Sequence, residues 1–266
     1  IVATIFGFAF ALMAYRLLIL RITELQARWA IALISFSMAA PILQVGYAES
    51  LGLFLICAAL YLFAKRRDGL LIVTLAVLSV TRPGLLAFSL MFALLFLYRF
   101  WRERKHAEPF ELRERLRLFG LAAVSGVFGF AWLFIAAIAT GRLDAYLATE
   151  LAWRAGYTDS SHLLPFSGWF ISGAFHLGSG VGELAVIGLV AFAVWALGTH
   201  SVKSLGIELQ LFTLSYLVYL FAVFFPQSST PRLLFPALGL LAGLAVASAA
   251  WSKPARGAIL VLSVLG

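Results

Sequence analysis

The side chains able to do chemistry in this chain are few, and they sit in short breaks between apolar runs. Glu49 stands in Tyr47-Ala48-Glu49-Ser50, Arg82 in Thr81-Arg82-Pro83-Gly84, and Arg232 in Thr230-Pro231-Arg232. A guanidinium keeps its charge and offers a planar fork of donors matched to phosphate oxygens. Arg82 and Arg232, each beside a proline at the end of an apolar run, are therefore candidates for holding an anionic group such as a lipid phosphate. Snorkelling to ordinary headgroups is the competing explanation. Glu49 is either a first-turn acid favoured by the helix dipole or the lining of a polar cavity, where an ionisable group near hydrocarbon needs a partner. A longer polar segment, 140 to 181, carries Arg142, Asp144, Glu150, Trp153, Arg154, Tyr157, Asp159, His162, Trp169 and His176.

Other chemistries find no footing. Cys57 is the only cysteine and lies in an apolar run, which excludes a disulfide framework and a cysteine metal site. His162 and His176 lack metal-ligand spacing. The sequence contains no P-loop, Rossmann glycine pattern or nucleophile elbow.

The elements that must position these residues follow from hydropathy. The chain has 266 residues, 63% hydrophobic and 12% charged, and a mean hydropathy of +1.00. That composition predicts an integral membrane protein. Apolar runs near 1–15, 30–46, 50–64, 69–81, 84–98, 118–139, 182–198, 207–225 and 232–250, with a tenth from Gly257, predict an all-α polytopic fold of about nine to ten spans. The whole chain, 1–266, reads as one transmembrane domain, with 99–117 a cytoplasmic amphipathic loop and 140–181 a non-cytoplasmic loop. Alternating the spans puts every Lys and Arg except Arg82, Arg142, Arg154 and Arg232 on one face, cytoplasmic by the positive-inside rule. The basic charge then faces anionic lipid headgroups and needs no nucleic acid. The start at Ile1 and the end at Gly266, both within apolar runs, suggest an internal fragment of a longer protein.

Several segments together resemble one family. FAFALMAYRLL at 8–18, Ala27-Arg28-Trp29-Ala30, Pro41, GYAESLGLFLICAALYLFAKRRD from Gly46 and LAVLSVTRPG ending at Gly84 are similar to the core of PIG-V-type mannosyltransferases, in particular their bacterial members. TELAWRAGY at 149–157, PFSGW at 165–169 and SSTPRLLFPALGLL at 228–241 resemble later parts of that family. The resemblance implies a GT-C-like glycosyltransferase fold in the cell membrane with its active face non-cytoplasmic. It implies a polyprenyl-phosphate sugar, usually mannose, as donor, a glycan, glycolipid or protein as acceptor, no metal, and inverting displacement. The family's catalytic aspartate would lie before Ile1. On that reading Arg82 and Arg232 bind the donor phosphate, and Glu49 is the catalytic-site carboxylate that orients the acceptor or holds a sugar hydroxyl. Tyr47, Gln44, Glu150, Trp153 and Arg154 bind donor or acceptor, with Trp153 stacking on a sugar face or acting as an interfacial anchor.

Two other classes fit the composition. A secondary transporter or flippase for a lipid-linked or small anionic substrate is also polytopic with sparse intramembrane charge, although here the charges gather at one face. A structural membrane subunit would use the same charges as partner contacts.

Overall fold

A computed structural model of the protein describes residues 1–106, 108–155, 164–226 and 230–265. All regular elements among them are helices: α1 (Val2–Leu18), α2 (Glu24–Ser35), a 3-10 turn (Ala40–Gln44), α3 (Glu49–Ala64), α4 (Asp68–Thr81), α5 (Leu86–Arg104), α6 (Leu112–Gly129), α7 (Ala131–Thr140), α8 (Ala145–Ala155), α9 (Ser167–Leu177), α10 (Val181–Gly198), α11 (His200–Lys203), α12 (Ile207–Val223), α13 (Thr230–Leu234), α14 (Leu238–Ser248) and α15 (Lys253–Leu265). The all-α expectation stands.

The membrane threading needs correction. Among the described residues only two helical stretches are long and apolar enough to cross a membrane: Leu112–Thr140, which is α6 and α7 joined at Phe130, and Val181–Gly198, which is α10. They match the runs at 118–139 and 182–198; the other expected spans fail, and the nine-to-ten-span, GT-C-like architecture fails with them. The reasons are physical. At 1.5 Å per residue the 17 residues of α1 reach only about 25 Å, short of a roughly 30 Å hydrocarbon core. The run at 30–46 breaks at Ser35 into turns and a 3-10 segment containing Pro41, and the run at 232–250 breaks between α13 and α14. α5 is long enough, but Arg99, Arg102, Glu103 and Arg104 occupy its end.

Hydropathy cannot tell burial in lipid from burial in protein, and here protein accounts for much of it. α3 buries eleven of its sixteen residues, Cys57 among them. Its neighbours are α1, α4 and the 3-10 turn. By contrast only 11% of the apolar window of Leu112–Thr140, and 17% of that of α10, is buried. At the core, Phe63 meets Phe92 and Phe88 meets Phe212, with ring centroids 5.1 and 4.7 Å apart, tying α3 and α12 to α5.

The polar groups gather at the helix ends. α3 closes with a Schellman turn: the Arg67 N–H donates to the Leu62 carbonyl and the Arg66 N–H to that of Phe63, with Arg66 left-handed at φ 59°. The chain then re-enters a helix at Asp68, which Arg117 of α6 grips through two hydrogen bonds of 2.7 Å each. Glu114 takes up Arg66, Arg99 and Arg117 together. Residues 99–117 thus comprise the end of α5, a turn through His106 (φ 53°) and the start of α6, laced to the α3–α4 turn. We call this the basic end. Residues 140–181 include α8 and α9.

Candidate functional site

Glu49 is the first residue of α3, and the chain before it is fixed by Ser50, whose hydroxyl donates to the Leu43 carbonyl at 2.6 Å. That bond holds the 3-10 turn against the start of α3. Glu49 is only 6% exposed. Its Oε1 lies 3.6 Å from Nε of Arg232, on α13. This separation leaves an ion pair without a hydrogen bond, and the Arg232 Nε is buried with no hydrogen-bond partner among the described residues. Tyr47 comes to the same place, its ring 5.2 Å from the Arg232 guanidinium carbon.

Arg82 follows the last turn of α4 with extended backbone (φ −156°, ψ 140°), as expected of a residue before proline. Its side chain runs back over α3 at Gly52, one turn beyond Glu49. A Cβ on Gly52 would stand 3.3 Å from the Arg82 Cδ, so a glycine there gives the arginine its path. Arg82 is 8% exposed, and both terminal guanidinium nitrogens are buried without a hydrogen-bond partner among the described residues. A charged group in that condition is expensive: an unsatisfied buried donor costs about 1–3 kcal/mol and a charged one more.

Tyr216 and Tyr219 of α12 complete the cluster. The Tyr216 hydroxyl donates to the Leu233 carbonyl at 2.7 Å, anchoring α13 beside Arg232. Tyr216 lies close enough to Arg82 and Glu49 for both charges to act on it. Tyr219 feels Arg82 and, from α8, Glu150 and Tyr146. Glu150 therefore lies within electrostatic range of Tyr219. Gly84, at φ 123°, brings the Arg82-Pro83 turn against both tyrosine rings.

Glu49, Arg232 and Tyr47 are therefore in one cluster, with Arg82 on the same face of α3; Glu150 comes only within electrostatic range of Tyr219. Gln44 is exposed at the end of the 3-10 turn, and no contact ties it to Glu49 or Arg232 among the described residues. Trp153 and Arg154 fall in α8, but their side chains lie outside the described residues, as do Tyr157, Asp159 and His162. Arg142 is exposed and paired with Asp144 at 2.8 Å. Trp169 packs on α12, donating to the Leu220 carbonyl at 3.3 Å, so its place is structural. His176 bonds the Ser172 carbonyl at 2.9 Å. No group of three or more metal-ligating side chains occurs among the described residues. The residues that sequence reasoning missed are Gly52, Tyr216 and Tyr219. The two tyrosines, three apart in an otherwise apolar run before Pro226, were the available signal.

The cluster is closed. The cavity beside Arg82, walled by Pro83, Phe88, Phe212, Tyr216 and Pro236, has about 10 Å³ for water centres, roughly room for one water. A far larger concavity, about 750 Å³, lies at the basic end between α4 and α6. Size alone would favour that groove, yet Arg82 has both terminal nitrogens buried and unpartnered among the described residues, whereas Arg102 at the basic end lacks a partner at Nε alone and is paired with Glu108.

A scan of family models and searches of curated proteins and of solved structures find no match to this chain.

Proposed function

We propose that this protein is a membrane glycosyltransferase that moves a sugar from a polyprenyl-phosphate donor to an acceptor hydroxyl, with the Arg82 cluster as its site. One observation carries the reading: a buried guanidinium, both terminal nitrogens unpartnered, on the same face of α3 as a buried carboxylate that is itself paired with a second arginine. Such a cation is stabilised by an incoming anion, and a carboxylate nearby suits a reaction in which a phosphate leaves and a hydroxyl loses its proton. Two helices long and apolar enough to cross a membrane, and the exposed apolar side chains of α7 and α10, such as Phe134, Ile138, Leu184 and Trp195, support work at a lipid surface. Mannose, by the resemblance of Tyr47-Ala48-Glu49-Ser50 and Thr81-Arg82-Pro83 to PIG-V-type enzymes, is the sugar we favour.

The chemistry is a single displacement. The acceptor oxygen attacks the anomeric carbon from the face opposite the lipid phosphate, inverting it. The bond from that carbon to the phosphate oxygen breaks, leaving its electron pair on the phosphate. Arg82 and Arg232 take up the added negative charge, an arrangement worth about 10²–10³ in rate for each well-placed donor. Glu49 receives the acceptor proton. Entry of the donor requires α13 to swing from α3, since the closed cluster holds no volume for it. On this reading the protein works in the cell membrane, with its basic end cytoplasmic by the positive-inside rule.

The test is sugar transfer in membranes supplied with radiolabelled polyprenyl-phosphate mannose, comparing wild type with Arg82→Met and Glu49→Gln at equal expression. Transfer lost in both variants is the expected result. Transfer retained in both removes the site. Movement of a lipid-linked substrate across the bilayer without transfer by wild type replaces the enzyme with a carrier.

A further inference from the structure

The groove of about 750 Å³ at the basic end is not used by the chemistry above. Its floor is polar, with Arg66, Arg113 and Arg117, and its wall is apolar, with Ile72, Leu116 and Val124. The apolar wall climbs along α6, the start of a helix able to cross a membrane and little buried in protein. A concavity running from guanidinium groups onto apolar side chains of such a helix is matched to an amphiphile, with an anionic head at one end and an acyl chain at the other.

The charge balance identifies the head. The lining also contains Asp68, Glu111 and Glu114. Asp68 is consumed by Arg117, and Glu114 is shared among Arg66, Arg99 and Arg117. Arg113 is exposed and makes no side-chain hydrogen bond or ion pair among the described residues, although it is near enough to Asp68 for their charges to interact. The surrounding segments 65–68 and 99–117 carry ten basic and five acidic side chains, a net +5. The free cation in a net-positive setting favours a phosphate over an ammonium group. Gly120 leaves open space in the groove: a side chain there would meet nothing within 4 Å.

We propose that this groove seats one anionic phospholipid, its phosphate against Arg113 and Arg66 and an acyl chain along Leu116, Gly120 and Val124. The proposal is independent of the Arg82 cluster. A free phosphate would use the same cations but gains nothing from the apolar wall, so the occupant is a lipid.

The experiment uses purified full chain in nanodiscs of phosphatidylcholine with phosphatidylglycerol, reading lipid retained after transfer to detergent by native mass spectrometry. Three variants separate the possibilities. Arg113→Gln removes the free cation, Gly120→Trp fills the groove without changing charge, and Arg104→Gln is an exposed control on the same end but outside the groove. Wild type is expected to retain one phosphatidylglycerol in preference to phosphatidylcholine. Retention should fall about fivefold or more in Arg113→Gln and should be lost in Gly120→Trp, while Arg104→Gln behaves as wild type. Equal losses in Arg113→Gln and Arg104→Gln, or full retention in Gly120→Trp, would mean diffuse surface charge and overturn the site. Displacement of the lipid by millimolar inorganic phosphate would make it a free-phosphate site and overturn the lipid assignment.

Discussion

Replacing Arg82 by methionine should make the ligand-free protein more stable, which is the reverse of the usual outcome for a buried residue. Arg82 is 92% buried, since only 8% of it is exposed, and two of its nitrogens lack partners. Methionine matches the stem that lies over Gly52 and removes the stranded charge. At about 1–3 kcal/mol for an unsatisfied buried donor, and more when charged, a gain of about 2–4 kcal/mol is expected, in the range seen when buried ionic groups give way to apolar ones. For a chain of this size that is a rise of roughly 5–10 °C in unfolding midpoint, measured by intrinsic Trp fluorescence in detergent. Polyprenyl phosphate should then close most or all of that gap. A ligand at one hundred times its Kd adds about 2.7 kcal/mol to wild type and nothing to Arg82→Met. A loss of stability in the variant would refute the reasoning, because it would mean that the guanidinium is satisfied and holds the fold together. Equal stabilisation of both proteins by the lipid phosphate would remove Arg82 from the site.

Other substitutions test the frame around it. Gly52→Val puts carbon against the Arg82 stem, 3.3 Å from Cδ already at the Cβ; it should abolish stabilisation by polyprenyl phosphate and cost about 1–3 kcal/mol in a denaturant titration. Gly182→Ala should be worse for the α9–α10 pair, since its Cβ would lie 2.2 Å from the Gly173 backbone carbonyl carbon. A drop in unfolding midpoint exceeding that of Gly188→Ala, where the space is open, is the expected reading. The hydrogen bonds from Arg117 hold the Asp68 carboxyl below the usual carboxylate range, against partial burial, with further help from the Arg117, Arg66 and Arg113 charges. A depressed folded-state value means that this contribution is complete above the unfolded value of about 4 and is lost as pH falls through the folded one. Stability measured from pH 7 downward should therefore hold to about pH 4 and decline below it, and Asp68→Asn should flatten that decline.

The all-α class and the positions of several breaks were legible in the sequence, because Lys65-Arg66-Arg67-Asp68 and Arg82-Pro83-Gly84 interrupt apolar runs, whereas the 99–117 charges lie largely within the end of α5 and the start of α6. The number of membrane crossings was not. Leu53, Ile56, Ala59 and Leu60 of α3 read as lipid-facing by hydropathy, yet they are buried against neighbouring helices, and no one-dimensional scale separates the two environments. The interruption at Ser35 was masked by the apolar residues on either side of it. At the site, the gathering of Glu49, Arg82 and Arg232 toward one end was readable from their places in short breaks. Their partners were not: Gly52 looked like one more small residue in a helix, and the Tyr216 hydroxyl declared its role only once Leu233 was beside it. Trp169 shows the converse: it counted in the sequence among the residues of the polar 140–181 segment, and it packs on α12.

The most direct measurement is equilibrium binding of radiolabelled polyprenyl-phosphate mannose to the purified full chain in nanodiscs, alongside polyprenol without phosphate, for wild type and Arg82→Met. Saturable binding of the phosphorylated lipid, absent for polyprenol and lost in the variant, is the expected result. Binding that ignores either the phosphate or Arg82 would contradict the assignment of this buried cation to a lipid phosphate.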